Sequence, residues 1–103
     1  MPGIDFNRLR DEITMEEVLD LLGFEPCRGR GDQWYGPCPF HASRPGRHSF
    51  SVNVAKRRFS CHKCGRYGNQ LELWTQFTRQ SFYRACIHLC LALGRDIPWL
   101  HRW

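Results

Sequence analysis

The first quarter of the chain has the hydrophobic spacing of two short helices. Apolar side chains recur every three or four residues through residues 6–13, which predicts a first helix. Thr14 followed by Glu17 is the pattern of a capping box, in which each side chain accepts a hydrogen bond from the other residue's backbone amide. Helical spacing then continues to Leu22, and Gly23 is suited to end that helix in the left-handed conformation.

The middle of the chain shows the two-residue period of β-strands instead. Residues 49–54 alternate, with Phe50, Val52 and Val54 on one face of the predicted strand. Ser51 and Asn53 fall on the other face. A Gly-Arg-Gly-Asp sequence and an Ala-Lys-Arg sequence are suited to the turns between strands. The predicted strands cover residues 25–28, 33–36, 49–54 and 59–62, and a flexible turn containing Gly65 and Gly68 follows them.

Two further helices are predicted towards the C-terminus. Asn69 is a candidate N-cap for a helix that reaches residue 79, and Ser81 for a last helix with a continuous apolar stripe that stops at Gly94. The pattern therefore predicts an α+β fold, a small antiparallel β-sheet flanked by N-terminal and C-terminal helices. With 103 residues we expect one domain, divided into a helical segment 1–24, a β segment 25–68 and C-terminal helices 69–103.

Four residues of the β segment have the spacing of zinc ligands. Cys38 and His41 form C-x2-H, and Cys61 and Cys64 form C-x2-C. Two close pairs, separated by enough chain for a hairpin, are typical of a tetrahedral Cys3His site for one Zn²⁺. Because all four positions are filled, the metal is predicted to be structural, and the β segment to be a zinc ribbon. Zinc contributes about 10 kcal/mol to such folds, so we expect its removal to unfold at least residues 28–68.

Other roles for the cysteines and histidines compete with zinc binding. The Cys-His-Lys-Cys sequence also has the spacing of a redox dithiol, but no βαβ pattern surrounds it. Six cysteines are enough for a disulfide framework, but disulfides require an oxidising compartment. We find neither a signal peptide nor an apolar run long enough to cross a membrane. We therefore expect a cytoplasmic protein with reduced thiols. His48 is the rival to His41 for the fourth ligand.

The remaining cysteines are predicted to have packing roles. Cys86 and Cys90 are four residues apart on one helical face and have the spacing of a chelating pair, but both lie in the apolar stripe. Cys27 is expected in the core or on the surface, without a metal. His88 falls off the stripe and is expected to be exposed, and His62 is expected to point away from the metal.

Positive charge is concentrated in the β segment. The net charge is +5, yet seven acidic residues lie within the first 25 residues, whereas residues 26–71 hold nine basic residues and only Asp32 as an acid. This asymmetry is typical of a surface that binds a polyanion, although charged surfaces are also common on soluble proteins. The nucleic-acid-binding candidates are Arg28, Arg30, Arg44, Arg47, Lys56, Arg57, Arg58 and the ring of Tyr67, which is expected to be exposed; Trp34 and Tyr35 are further candidate rings.

The motifs resemble a known family. The sequence GPCPFH at residues 36–41, SFSV at residues 49–52, Lys56, and C-x2-C-G-x2-G-N at residues 61–69 are similar to the N-terminal zinc-binding domain of bacterial DnaG-type DNA primases. The flanking helices extend the resemblance over nearly the whole chain. It implies the four zinc ligands and a role in reading single-stranded template at primer initiation. The loop between His41 and Ser49 is longer than is usual for the family, so a template preference held there would differ.

The resemblance also separates binding from catalysis. We find no acidic cluster or phosphate-binding loop that would align nucleotides and magnesium, so the chain is not expected to be an enzyme by itself. The expected partners are single-stranded DNA and a primase polymerase domain or a replicative helicase. The alternative is a zinc-ribbon adaptor that docks on a replication or mobile-element protein, using the aromatic tail of residues 97–103, which is expected to be exposed.

Overall fold

The structure, a computed structural model, describes residues 3–26, 28–40 and 49–100, which form helices and two antiparallel sheets. The helices are α1 (Phe6–Glu12), α2 (Met15–Leu22), α3 (Gln70–Thr78) and α4 (Phe82–Leu93). The strands are β1 (Gly3–Ile4), β2 (Arg28–Arg30), β3 (Gln33–Gly36), β4 (Phe50–Asn53), β5 (Arg58–Cys61), β6 (Tyr67–Gly68) and β7 (Trp99–Leu100). The predicted α+β class is confirmed.

Local sequence signals determine where the helices begin and end. Thr14 and Asn69 each form a capping box at the start of α2 and α3, and the Ser81 side chain accepts a hydrogen bond from the backbone of Arg84 at the start of α4. Gly23 and Gly94 end α2 and α4 with φ of 72° and 68°. These five boundaries were predicted from the sequence.

The larger sheet has five strands in the order β2-β3-β4-β5-β6, and every neighbouring pair is antiparallel. On one face, Phe50, Val52 and Phe59 are buried against the helices. Because strand side chains alternate between faces, the intervening positions point to solvent. The alternation predicted for residues 49–54 is therefore confirmed over β4, which ends at Asn53.

Three predictions about the strands were wrong. The first strand of the ribbon is β2 at Arg28–Arg30, not residues 25–28, because its pairing partner β3 begins directly after the two-residue turn. The segment after Cys64 is not only a turn, since β6 pairs with β5. The C-terminal tail was expected to be exposed throughout, but β7 pairs with β1 and the Trp99 ring is half-buried against the core, whereas Leu100 is exposed as expected. Trp103 lies outside the described residues.

The C-terminal end of α1 connects the helices to the sheet. The backbone carbonyls at the end of a helix have no partner within the helix. Here Arg57, in the β4–β5 turn, donates from Nη1 to the carbonyl oxygens of Arg10 and Asp11. The buried Gln70 amide donates to the carbonyls of Arg10 and Ile13, at 2.8 and 2.7 Å. The hairpin turn and α3 are thus fixed to the same helix end.

None of the helices in the described part of the chain has the length and apolar character needed to cross a bilayer.

Candidate functional site

Three predicted zinc ligands meet in space. The Sγ atoms of Cys38, Cys61 and Cys64 all lie within 4.8 Å of one another, and the Cys38 and Cys64 sulfurs are 3.8 Å apart. Two thiolates on a tetrahedral zinc, each about 2.3 Å from the metal, are separated by about 3.8 Å. The observed Cys38–Cys64 distance therefore fits zinc coordination, and the three sulfurs are close enough together to bind one ion.

The second pair of cysteines is aimed by a tight turn at the end of β5. The backbone amide of Gly65 donates to the carbonyl of Cys61 at 2.8 Å, and the amide of Cys61 donates to the carbonyl of Arg66 at 2.9 Å. Gly65 has φ of 74°, a conformation that glycine adopts without steric cost. Cys61 is buried whereas Cys64 is exposed, so one side of the cluster faces the core and the other faces solvent.

The first cysteine lies in an apolar setting. Burial, together with the neighbouring thiols of Cys61 and Cys64, raises the pKa of Cys38 to about 12, although a backbone hydrogen bond from Phe40 opposes the shift. Without a metal, this sulfur therefore holds its proton at neutral pH. Zinc has to displace that proton, so binding of the metal and release of protons are coupled. The Cys61 thiol also approaches the Ser49 hydroxyl, with 3.7 Å between Sγ and Oγ.

Several predicted residues fall outside the described part of the chain. They are His41, its rival His48, Cys27, and the loop cations Arg44 and Arg47. The fourth zinc ligand therefore remains a prediction. The two helical cysteines behave as expected: Cys86 and Cys90 are buried in the core, and burial raises the pKa of both thiols. His88 is exposed, as predicted.

The solvent face of the five-stranded sheet presents two rows of side chains. The strand register places one row across all five strands and a second row across the first four. The first row is Arg28, Tyr35, Ser51, Ser60 and Tyr67. The second row is Arg30, Gln33, Asn53 and Arg58. We call these nine residues the sheet face. It contains two tyrosine rings and three of the predicted cations.

Two of the predicted candidates are directed away from the sheet face. Arg57 points to the α1 carbonyls described above, which gives its guanidinium a structural contact. Trp34 pairs with the buried Val52 and so lies on the covered face, where its Nε1 donates to the Gly31 carbonyl at 3.1 Å. Tyr67, by contrast, is 73% exposed, and Lys56 is exposed in the β4–β5 turn.

Sequence reasoning missed the polar centre of the sheet face. Ser51 and Ser60 share a hydrogen bond at 3.1 Å between their hydroxyls, and Asn53 donates to the Gln33 side chain at 3.2 Å. Alternation alone had placed Ser51 and Asn53 on the outer face, but the contribution of Gln33 and Ser60 depends on strand register. Gln33 and Ser60 could have been found from the sequence only by predicting which residues of neighbouring strands pair.

Comparison with known proteins supports the geometry. The sequence model of the family described as CHC2 zinc finger, the zinc ribbon of DnaG, matches residues 4–102. The DNA primase of Treponema pallidum (strain Nichols) is 34% identical over 82 residues, covering 79% of this chain and 13% of that protein. The DNA primase of Pasteurella multocida is 31% identical over 89 residues, covering 85% of this chain and 15% of that protein.

A solved structure shares the fold. The crystal structure of the zinc-binding and RNA polymerase domains of the Aquifex aeolicus primase superposes with a TM-score of 0.72 and 26% sequence identity. The match covers 91% of this chain and 22% of that one. The chain thus spans only a small part of the length of the proteins that it matches. The family and the cysteine cluster together point to one structural zinc ion.

Proposed function

The chain belongs to the CHC2 zinc-finger family, the zinc ribbon of DnaG, and on that premise we propose that it binds single-stranded DNA template during the initiation of primer synthesis. In this proposal the domain binds and positions the template strand, and another domain catalyses primer synthesis. The observation that supports it is the sheet face, where exposed aromatic rings and cations lie on one rigid surface beside the zinc site.

The two tyrosines are suited to stack on bases. Tyr35 on β3 and Tyr67 on β6 lie in the same row, with β4 and β5 between them. Neighbouring strands are about 4.8 Å apart, so the rings are separated by about 14 Å. That span exceeds a single base, and the small Ser51 and Ser60 side chains leave the space between the rings open. Each stacked base contributes about 1–3 kcal/mol to binding.

The cations are suited to contact the phosphates. Arg28 and Arg30 lie on the edge strand β2, and Arg58 lies on β5 with Lys56 in the adjoining turn. All four side chains are exposed. None of them forms an ion pair among the described residues, so their charges are available to a ligand. Arg28 ends the aromatic row, and Arg30, Arg58 and Lys56 lie along one side of it, where they would hold the phosphates of a strand that crosses the sheet.

The primase context supplies the proposed partners. The relatives are DNA primases of much greater length, and the Aquifex aeolicus structure combines a zinc-binding domain with an RNA polymerase domain. We therefore propose that this chain works with a primase polymerase domain in the cytoplasm, with a replicative helicase as a further partner. The fourth zinc ligand in this proposal is His41, and Arg44 and Arg47 add to the cationic surface.

The test is a fluorescence anisotropy titration of the zinc-loaded chain with short single-stranded oligonucleotides over a series of salt concentrations. Changing Lys56 and Arg58 together to Ala should weaken binding and lower the log–log salt slope by about 0.7 for each lost phosphate contact. Arg84→Ala is the matched control, because it removes an exposed cation from α4, away from the sheet face.

A second variant tests the stacking. Tyr67→Ala should reduce affinity by roughly 5- to 100-fold with little change in the salt slope, whereas Tyr67→Phe keeps the ring and should bind nearly as the parent does. If the parent chain shows no salt-sensitive binding at low salt, the proposal is wrong and the adaptor hypothesis, in which the ribbon docks on another replication protein, takes its place.

A further inference from the structure

A chain of hydrogen bonds fixes the orientation of one amide on the sheet face. The backbone amide of Lys56 donates to Asn53 Oδ1 at 2.8 Å. A backbone amide can only donate, so the Asn53 oxygen must face it, and the Asn53 Nδ2 must face the other way. There it donates to Gln33 Oε1 at 3.2 Å. Gln33 therefore presents its Nε2, a donor, as its remaining polar group.

Gln33, which carries this donor, lines a groove suited to a single base. The groove has a volume of about 220 Å³ and lies between Tyr67 and Gln33, with Arg58 at its side. Ser51 and Ser60 also line it, and their shared hydrogen bond leaves oxygen lone pairs free to accept. Among the described residues, no acceptor pairs with Gln33 Nε2. The groove thus offers a directed donor, hydroxyl acceptors and a ring for stacking.

We propose that this groove is a nucleobase subsite in which Gln33 selects a base with a carbonyl at the recognised edge, such as thymine, over one with an amino group there, such as cytosine. The inference rests on the proposed binding of single-stranded DNA. Thymine has a carbonyl acceptor at ring position 4, whereas cytosine has an amino donor. The Gln33 donor can hydrogen-bond to the thymine carbonyl but would face the donor of the cytosine amino group. The two pyrimidines are otherwise close in size.

Asn53 is the positioning residue of the subsite. In Asn53→Asp, one carboxylate oxygen still accepts from the Lys56 amide, but the other can no longer donate to Gln33. The Gln33 amide then turns its Nε2 towards Asp and presents Oε1 to the groove. Asn53 also lines the groove. The preference should pass from thymine to cytosine, because Gln33 then presents an acceptor to the base. A purely structural role for Asn53 predicts weaker binding of both bases without this reversal.

The experiment compares the affinities of the zinc-loaded chain for oligothymidine and oligocytidine of equal length at neutral pH. The parent chain should prefer oligothymidine by roughly three- to tenfold, the discrimination expected of one hydrogen bond. Gln33→Ala should bring that ratio close to one, and Asn53→Asp should invert it. Asn7→Asp is the control for added negative charge, because it makes the same chemical change on α1 and should leave the ratio unchanged.

The outcomes separate the two proposals. Equal affinities of the parent chain for both oligonucleotides, or a ratio that survives Gln33→Ala, would overturn the subsite while leaving single-strand binding in place. Failure of the parent to bind either oligonucleotide would overturn the proposed function itself. Zinc content and circular dichroism confirm folding of each variant. If Asn53→Asp does not fold, Gln33→Glu takes its place, since it keeps the acceptor for Asn53, removes the donor and should also favour oligocytidine.

Discussion

Two arginines adopt the left-handed backbone conformation that normally favours glycine. In the described ranges, the non-glycine residues with positive φ are Arg57, at 55°, and Arg79, at 56°. For Arg57 the turn directs the guanidinium to the α1 carbonyls, so hydrogen bonds offset the backbone cost. Arg79 follows α3 as its C-cap, and its exposed side chain forms no hydrogen bond or ion pair among the described residues.

The conformation of Arg79 leads to a stability prediction. Arg79→Gly should raise the free energy of unfolding by about 0.5–1 kcal/mol, because glycine removes the clash of Cβ in the left-handed region at only a modest entropic cost. Urea unfolding with zinc in excess measures the change. Arg79→Ala is the matched control, since it removes the guanidinium but keeps Cβ. A gain in the alanine variant would show that charge, and not the backbone, was responsible.

The raised pKa of Cys38 predicts how zinc affinity depends on pH. The free thiol, with a pKa of about 12, is protonated throughout the neutral range, and zinc binding releases its proton. Affinity should therefore rise with pH, by about tenfold per unit between about pH 6 and pH 8 from this one proton. Competition with a chromophoric chelator measures the slope. An affinity that does not change with pH would mean that Cys38 is not a ligand.

At the scale of elements, the capping box of α2 also connects the two ends of the chain. The Thr14 side chain accepts from the Glu17 amide at 3.2 Å, and a Glu17 carboxylate oxygen accepts from the Thr14 amide at 3.0 Å. The same carboxylate pairs with Arg95 beyond α4 at 2.9 Å. Burial opposes the charged form of Glu17, but these hydrogen bonds together outweigh it and lower its pKa.

We expect Thr14→Ala to lower the free energy of unfolding by about 1 kcal/mol, because the Glu17 amide loses its acceptor. Thr14→Ser keeps the hydroxyl and should lie close to the parent. Both are measured by urea unfolding at neutral pH with zinc in excess. If serine were as destabilising as alanine, packing of the threonine methyl group, and not capping, would explain the loss.

The elements differ in how far the sequence determines them. Helix capping and helix termination depend on local sequence, so Thr14, Asn69 and Gly94 were sufficient to predict helix ends. The sequence spacing of the ligands was sufficient to predict that three cysteines lie together. The pairing of β1 with β7 joins two-residue strands at opposite ends of the chain, and neither strand has a pattern of its own. The bounds of β2 and β6 likewise depend on their partners. Pairing between β3, β4 and β5 also brings together Gln33, Ser51, Asn53 and Ser60, the polar centre of the sheet face.

In the molecule as a whole, the helices and the sheet differ in their dependence on the metal. Apolar residues of α1 to α4 are buried together, including Leu9, Val18, Leu73 and Leu89, all at 2% exposure or less. The sheet contributes few buried apolar residues, chiefly Phe50, Val52 and Phe59, and its strands are four residues long or shorter. Phe40 packs against Phe50 and Phe59 beside Cys38, so this aromatic cluster adjoins the cysteines.

Removal of zinc should therefore unfold the sheet before the helices. Chelation under reducing conditions should abolish hydrogen-exchange protection of the amides in β3, β4 and β5, since a small sheet loses a metal contribution of about 10 kcal/mol. Amides in α3 and α4 should retain part of their protection, because the contacts of α3 with α4 and with α2 do not involve the zinc-binding cysteines Cys38, Cys61 and Cys64. Readdition of zinc should restore the sheet. Full protection of β3 to β5 in the metal-free chain would contradict a structural role for the metal.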